Sequence, residues 1–284
     1  MSEGQADMAE EIAARVRRYV LDGNDEDLRR LMGVSEIAAD MARAAFRRIG
    51  VQEGWSAIDC GCGPIGALAV LAEAVGPTGR VVGVDFNAAA VQRARTLAAA
   101  LELGNVDVFA GDLHEFDVSA AGGPFDLAYT RLFLMHQLDP RRTLHHIFDL
   151  LRPGGWLVAQ EALPVPPPRS HPHLEALTEY WDLIHEAIGR VGVPRGVVED
   201  LPRFARLAGF EVAGVSGSFA VTAPRVGFDL HAATAAAIRE RATSMGLSGE
   251  KVDALAQEIR AAQDRGFEWV SSPFFLDLAL RKPG

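Results

Sequence analysis

Residues Ser56 to Gly66 read Ser-Ala-Ile-Asp-Cys-Gly-Cys-Gly-Pro-Ile-Gly, an apolar run that ends in an acid and then places three glycines within six residues. A helix-like run, Ala67 to Val75, follows directly. Glycine at such a place lets the chain turn tightly and lets a ligand approach bare backbone, since no Cβ blocks either. Pro64 suits the first turn of a helix over 64–75, where its missing N–H costs nothing. The start of that helix offers free N–H groups and a partial positive charge. The stretch therefore reads as a nucleotide-type binding loop between a strand and a helix.

The residues beyond the loop supply such a sheet. Short apolar runs at 55–60, 80–85, 106–110, 125–130 and 156–161 alternate with helical patterns at 64–75, 88–102 and 140–151. Asn87 caps the second of these helices, and Asp139-Pro140 supplies a cap and first-turn proline for the third. Strands that alternate with helices form a parallel sheet covered on both faces. Ahead of this core, 8–49 reads as helical. Met8, Ile12, Val16 and Val20 recur at i+4, Gly23-Asn24-Asp25 breaks the run, and Ile37, Met41, Ala45 and Ile49 resume it after a Ser35 cap. Behind the core, Pro164, Pro166, Pro167, Pro168 and Pro172 make a stiff connector. Helices at about 173–189 and 199–208, a strand at 210–221, helices at 228–245 and 249–265, and a last strand from Phe274 to Arg281 complete the reading. The organisation is a helical cap over 1–50, an α/β core over 51–162, and lid helices with completing strands of the same domain over 163–284.

At 284 residues the chain buries enough surface to fold without disulfides or structural metal. Its formal net charge of −10 disfavours a protein that tracks nucleic-acid phosphates. The only two cysteines, Cys60 and Cys62, lie inside the glycine loop, which points to a reducing, cytoplasmic setting. Cys-x-Cys with no partner ligands is poor metal spacing, so no metal is expected. Glu3, Asp7, Glu10 and Glu11 stand where a signal peptide would be basic and then apolar. No apolar run approaches the length of a membrane span.

Gly61, Gly63 and Gly66 satisfy G-x-G-x-x-G, and Asp85 lies at the end of the second strand, where such an acid binds ribose hydroxyls. Taken alone this fits a dinucleotide. Asp59, immediately before the loop, would repel a pyrophosphate and welcome a cation. Asp112, after the third strand in Ala110-Gly-Asp-Leu113, is placed to accept from an adenine amino group. A ligand with a ribose, an adenine and a positive amino-acid end, but no phosphate, is S-adenosylmethionine. Ile58-Asp-Cys-Gly-Cys-Gly-Pro64, Val81-Val-Gly-Val-Asp85, Gly111-Asp112, Phe125-Asp-Leu-Ala-Tyr129 and Leu151-Arg-Pro-Gly-Gly155 together resemble the class I S-adenosylmethionine-dependent methyltransferases. Tyr19 to Leu31 and Arg131-Leu-Phe-Leu-Met-His136 are similar to a bacterial small-molecule subgroup related to quinone-biosynthesis methyltransferases.

The resemblance implies a Rossmann-like seven-stranded mixed sheet of order 3-2-1-4-5-7-6, its last strand antiparallel, with helical N-terminal and lid additions. It implies S-adenosyl-L-methionine as cofactor and S-adenosyl-L-homocysteine as product, held by Asp59, Gly61, Cys62, Gly63, Asp85, Phe86, Gly111, Asp112, Leu113, Thr130 and Arg131, with Tyr19 closing over them. His136 faces the acceptor and is the candidate base; Glu161 is a weaker one. The family often has glycine two positions after Gly63, whereas this chain has Ile65 there and Gly66 one later, so the methionine end should sit slightly differently. The implied function is methyl transfer to a small-molecule O, N or C nucleophile in bacterial specialised metabolism. A protein of the same fold that binds the cofactor without transferring methyl, and an NAD-dependent oxidoreductase, are the alternatives. The N-terminal helices could pair across a homodimer as readily as cap the site.

Overall fold

The computed structural model describes residues 26–117, 119, 121–190, 192–193 and 196–284. Tyr19, the helical reading of 8–25 and the Gly23-Asn24-Asp25 break lie outside the described residues.

The alternation seen in the sequence becomes a seven-stranded sheet. β1 (Ser56–Cys60), β2 (Arg80–Asp85), β3 (Val106–Ala110), β4 (Phe125–Arg131) and β5 (Leu151–Ala162) pair in parallel, and β10 (Phe275–Arg281) joins antiparallel to both β5 and β7 (Glu211–Ser218). The order is β3-β2-β1-β4-β5-β10-β7. Its last two members carry other numbers than expected because three short strands, β6 (Ser170–His171), β8 (Val221–Thr222) and β9 (Trp269–Ser271), intervene in the chain and form a second sheet of order β6-β9-β8. Counted within the large sheet alone, the order is the expected one. The small sheet was not anticipated; its strands are too short to show a period in the sequence.

The helices are α1 (Glu26–Ile49), α2 (Leu68–Val75), α3 (Ala88–Ala100), α4 (Pro140–Leu150), α5 (Glu175–Arg190), α6 (Val197–Leu207), α7 (Pro224–Ala237), α8 (Arg239–Ser244) and α9 (Gly249–Ala261). Alternate residues of β1 face opposite sides, as the pleat requires. Ala57 packs with Leu71 of α2 and with Ala42 and Phe46 of α1. Ile58 and Cys60 belong to the other buried cluster, which takes in Leu144 and Ile147 of α4 and residues of α5, α7 and α9. The two caps behave as read: Asn87 accepts from the N–H groups of Ala89 and Ala90, and Asp139 from that of Arg142.

Three local expectations are corrected. Ser35 is no cap, because α1 already runs through it from Glu26; its hydroxyl donates to the Gly66 carbonyl at 3.0 Å. Pro64 is not in the first turn of α2, which starts at Leu68, because Gly66 at φ +55° interrupts any helix through 64–67. β5 begins pairing at Leu151, with an irregularity between Phe125 and Leu127 of β4 absorbing the Arg-Pro-Gly-Gly turn.

Candidate functional site

The carboxyl ends of β1 to β4 open into a cleft of about 590 Å³ lined by Gly61, Val84, Asp85, Phe86, Gly111 to His114, Leu132, Phe133, His136 and Gln137. That volume lies within the range of small-molecule sites, roughly 300–1,000 Å³.

The glycine loop is pinned from below. The N–H groups of Gly61 and Cys62 both donate to the Val84 carbonyl, at 2.8 and 3.1 Å. Asp85 Oδ2 accepts from the Gly63 N–H and Oδ1 from the Asn87 N–H, both at 2.8 Å. Asp85 therefore ties the loop after β1 to the start of the loop after β2, with its remaining lone pairs towards the cleft. A side chain at Gly61 would collide with the Phe133 ring, and one at Gly66 would press on the Cys62 carbonyl and on Asp59 Oδ2. That crowding is why the glycine stands at 66. Ile65 in turn is buried with Leu97 and Leu101. At Gly63 and Gly111, by contrast, a Cβ would meet nothing within 4 Å. There bare backbone borders open space.

Asp59 is buried, and its Oδ2 accepts from the Ala67 N–H at 2.9 Å. Burial raises its pKa to about 6, against the lowering effects of that hydrogen bond and of the Arg131 charge. Arg131 Nη2 donates to the Gly66 carbonyl at 2.9 Å, while Nη1 is buried with no hydrogen-bond partner among the described residues. An unpaired guanidinium nitrogen is costly to bury.

Of the residues singled out in the sequence, Gly61, Asp85, Phe86, Gly111, Asp112, Leu113 and His136 line the cleft. Phe86 is 84% exposed, a ring presented to the opening rather than to the core. Asp112 bonds the His114 N–H. Asp59, Cys62 and Thr130 are buried and, like Gly63 and Arg131, do not line the cleft. Cys60 and Cys62 are buried, and burial pushes both thiols up, so they pack rather than react. The Thr130 hydroxyl donates to Glu161.

Glu161 is no base. It is fully buried and accepts three backbone N–H groups, from Phe133, Leu134 and Met135, at 3.0 to 3.2 Å. Burial raises its pKa to about 7 in spite of these donors. It holds the turn that carries His136.

A second cavity, of about 200 Å³, adjoins the cleft. Its walls come from α1 (Val34, Ile37), α5 (Tyr180, Trp181, Ile184), α7 (Leu230, His231, Thr234) and the segment Ser272 to Phe275. Leu132 and His136 line both spaces. α7 corresponds to the helix read at 228–245 and begins earlier, at Pro224. His231 in particular carried no signal, since only the fold brings it to Tyr180.

Among the described residues no group of three metal-ligating side chains occurs, and no helix is long and apolar enough to cross a membrane.

Residues 52–191 match the methyltransferase domain family. The chain is 34% identical over 231 residues to an uncharacterised 37.1 kDa protein in transposon TN4556 of Streptomyces fradiae, covering 80% of this chain and 62% of that one. It is 31% identical over 196 residues to nocamycin O-methyltransferase of Saccharothrix syringae, covering 68% and 66%. To demethylmenaquinone methyltransferase of Geobacillus sp. (strain WCH70) it is 30% identical over 116 residues, covering 41% and 49%. The chain thus spans 49 to 66% of the length of these relatives.

Proposed function

Since the chain belongs to the class I S-adenosylmethionine-dependent methyltransferases, we propose that it transfers a methyl group from that cofactor to a small-molecule acceptor held in the apolar cavity. The observation that carries this reading is the shared wall: Leu132 and His136 border the cleft and the cavity alike, so a donor in one and an acceptor in the other meet there.

The residues present fit the cofactor. Asp85 offers carboxylate lone pairs to ribose hydroxyls, and the exposed Phe86 ring and Asp112 suit an adenine face and its amino group. The open backbone at Gly63 and Gly111 leaves room for close approach, and the orphan Arg131 Nη1 suits the methionine carboxylate. Asp59 acts mainly by shaping the loop through Ala67. When bound, the cofactor supplies an electrophilic methyl on a sulfonium. The protein's part is to orient the acceptor and exclude water, which can lower a barrier by roughly 7–11 kcal/mol. His136, at the junction, is the group that takes a proton from an acceptor hydroxyl or ammonium. The relatives named for O-methylation of nocamycin and for demethylmenaquinone support a small organic acceptor.

Thermal shift tests the cofactor directly: S-adenosylhomocysteine should raise Tm and NADH should not, and the reverse outcome overturns the reading. For the base, His136→Gln should lower turnover by about 10²–10⁴ with S-adenosylhomocysteine affinity within a few-fold of the parent.

A further inference from the structure

Besides its apolar side chains the acceptor cavity is lined by Arg30, by His136 and by three hydroxyls and an imidazole from α5, α7 and Ser272, and the hydrogen-bond network fixes what this last group can offer. His231 Nε2 lies 2.8 Å from the Ser271 carbonyl. A carbonyl only accepts, so Nε2 carries the proton and Nδ1 is left as an acceptor. Tyr180 Oη bonds that Nδ1, so its proton points to His231 and is unavailable to a ligand. Burial lowers the His231 pKa to about 4, which keeps the ring neutral and the tautomer single. The other hydroxyls on the same wall are committed too. Thr234 donates to the Leu230 carbonyl at 2.8 Å, and Ser272 donates to the Pro273 carbonyl at 2.8 Å while accepting from the Ala220 N–H. Three hydroxyls and one imidazole thus line this wall, and every one of their protons is spent inside the protein.

Resting on the acceptor-site reading above, we propose that Tyr180, oriented by His231, is the specificity-determining residue of the cavity. Its oxygen accepts a hydrogen bond from a compact, largely apolar acceptor that bears a free hydroxyl. These four side chains have lone pairs to give and no uncommitted proton, so a ligand oxygen without a proton finds no partner among them. A carbonyl or an ether in that place would be desolvated against other lone pairs, which is unfavourable. His231 acts through Tyr180 as a positioning residue: remove it and the phenol proton is free to turn into the cavity. The size limit follows from the volume. A cavity of about 150 Å³ takes benzene, so about 200 Å³ takes one ring with a short substituent, with any further part of the molecule emerging towards the cleft.

The test uses 4-ethylphenol and 4-ethylanisole as probes, titrated by ligand-observed NMR into the full chain with and without saturating S-adenosylhomocysteine. The phenol should bind about tenfold tighter than its methyl ether, the discrimination expected of one hydrogen bond. Tyr180→Phe, which keeps the ring, should bring the ratio to about one. His231→Phe should bring it to one or below, because the released phenol proton can then serve the ether. In the parent protein, ¹⁵N-histidine NMR should show His231 as the Nε2–H tautomer. Equal affinities in the parent, no binding of either probe, a ratio untouched by both variants, or an Nδ1–H tautomer overturns the proposal. Failure of S-adenosylhomocysteine to bind would instead count against the proposed function, since the probe ratio and the tautomer are read without it.

Discussion

The cleft over β1 to β4 and the cavity beside it meet at His136 but are built in opposite ways. The cleft is lined by residues at the ends of consecutive parallel strands, Gly61 after β1, Asp85 and Phe86 after β2, Gly111 and Asp112 after β3 and Leu132 and Phe133 after β4, each delivered by its own strand. A few carboxylates hold it in shape, as Asp85 does for Gly63 and Asn87 and Asp59 for Ala67. The cavity is made of side chains from α1, α5, α7 and the segment after β9, brought together only by packing. A site built on strand ends is tied to its fold and serves one ligand throughout a family. A side-chain-built site can be changed without touching the sheet. The two should fail separately.

The largest effect is expected in the cavity wall. Trp181 is buried against Tyr180 and His185, and its indole N–H donates to the Leu163 carbonyl. Trp181→Ala should cost about 3–5 kcal/mol in urea unfolding and yet leave S-adenosylhomocysteine affinity, measured on the folded fraction, nearly unchanged. A matching loss of cofactor affinity would break the division between the two sites. The converse is Asp85→Ala. It removes the acceptor of two backbone N–H groups at the cleft floor and should weaken S-adenosylhomocysteine at least about 100-fold by calorimetry, two charged hydrogen bonds being worth about 1.5–3 kcal/mol each. Near-normal affinity would sink the assignment of that carboxylate.

Glu161 spans the boundary, because the turn it holds contributes Phe133 to the cleft and Met135 to the cavity. Glu161→Gln points an amide N–H₂ at donors and leaves at least one buried N–H unpaired. About 2–3 kcal/mol of stability should be lost, and ligands of both sites should weaken together. Phe86→Ala is milder. With 84% of the ring exposed, stability should change by less than about 0.5 kcal/mol, while cofactor affinity falls by several-fold through lost stacking.

The smallest effect is one of pH. His231 has a folded pKa of about 4, below its ordinary 6.5. Its neutral burial therefore contributes stability that is fully present above about pH 6.5 and is lost as pH falls through 4. The Tm advantage of the parent over His231→Gln should accordingly be constant above pH 6.5 and shrink on acidification. An advantage independent of pH would mean that folding leaves the His231 pKa unshifted.

The sequence determined the parallel core and the order in which it presents its loops. Period, caps and glycines are local properties, and β1 to β4, the caps at Asn87 and Asp139 and the cleft residues Gly61, Asp85, Phe86, Gly111, Asp112 and Leu113 were legible for that reason. Where a neighbour distant in the chain decided the outcome, local reading failed. Ser35 looked like a cap and instead bonds Gly66; Pro64 looked helical and is held outside α2 by the same glycine; Glu161 ends its strand near the site but is turned onto three N–H groups. Only the tertiary structure set Tyr180 against His231, 51 residues apart, and aimed the pair's protons away from the cavity. Such a pair has no pattern along the chain, because its geometry is imposed by the packing of α5 on α7 and by a carbonyl of the small sheet.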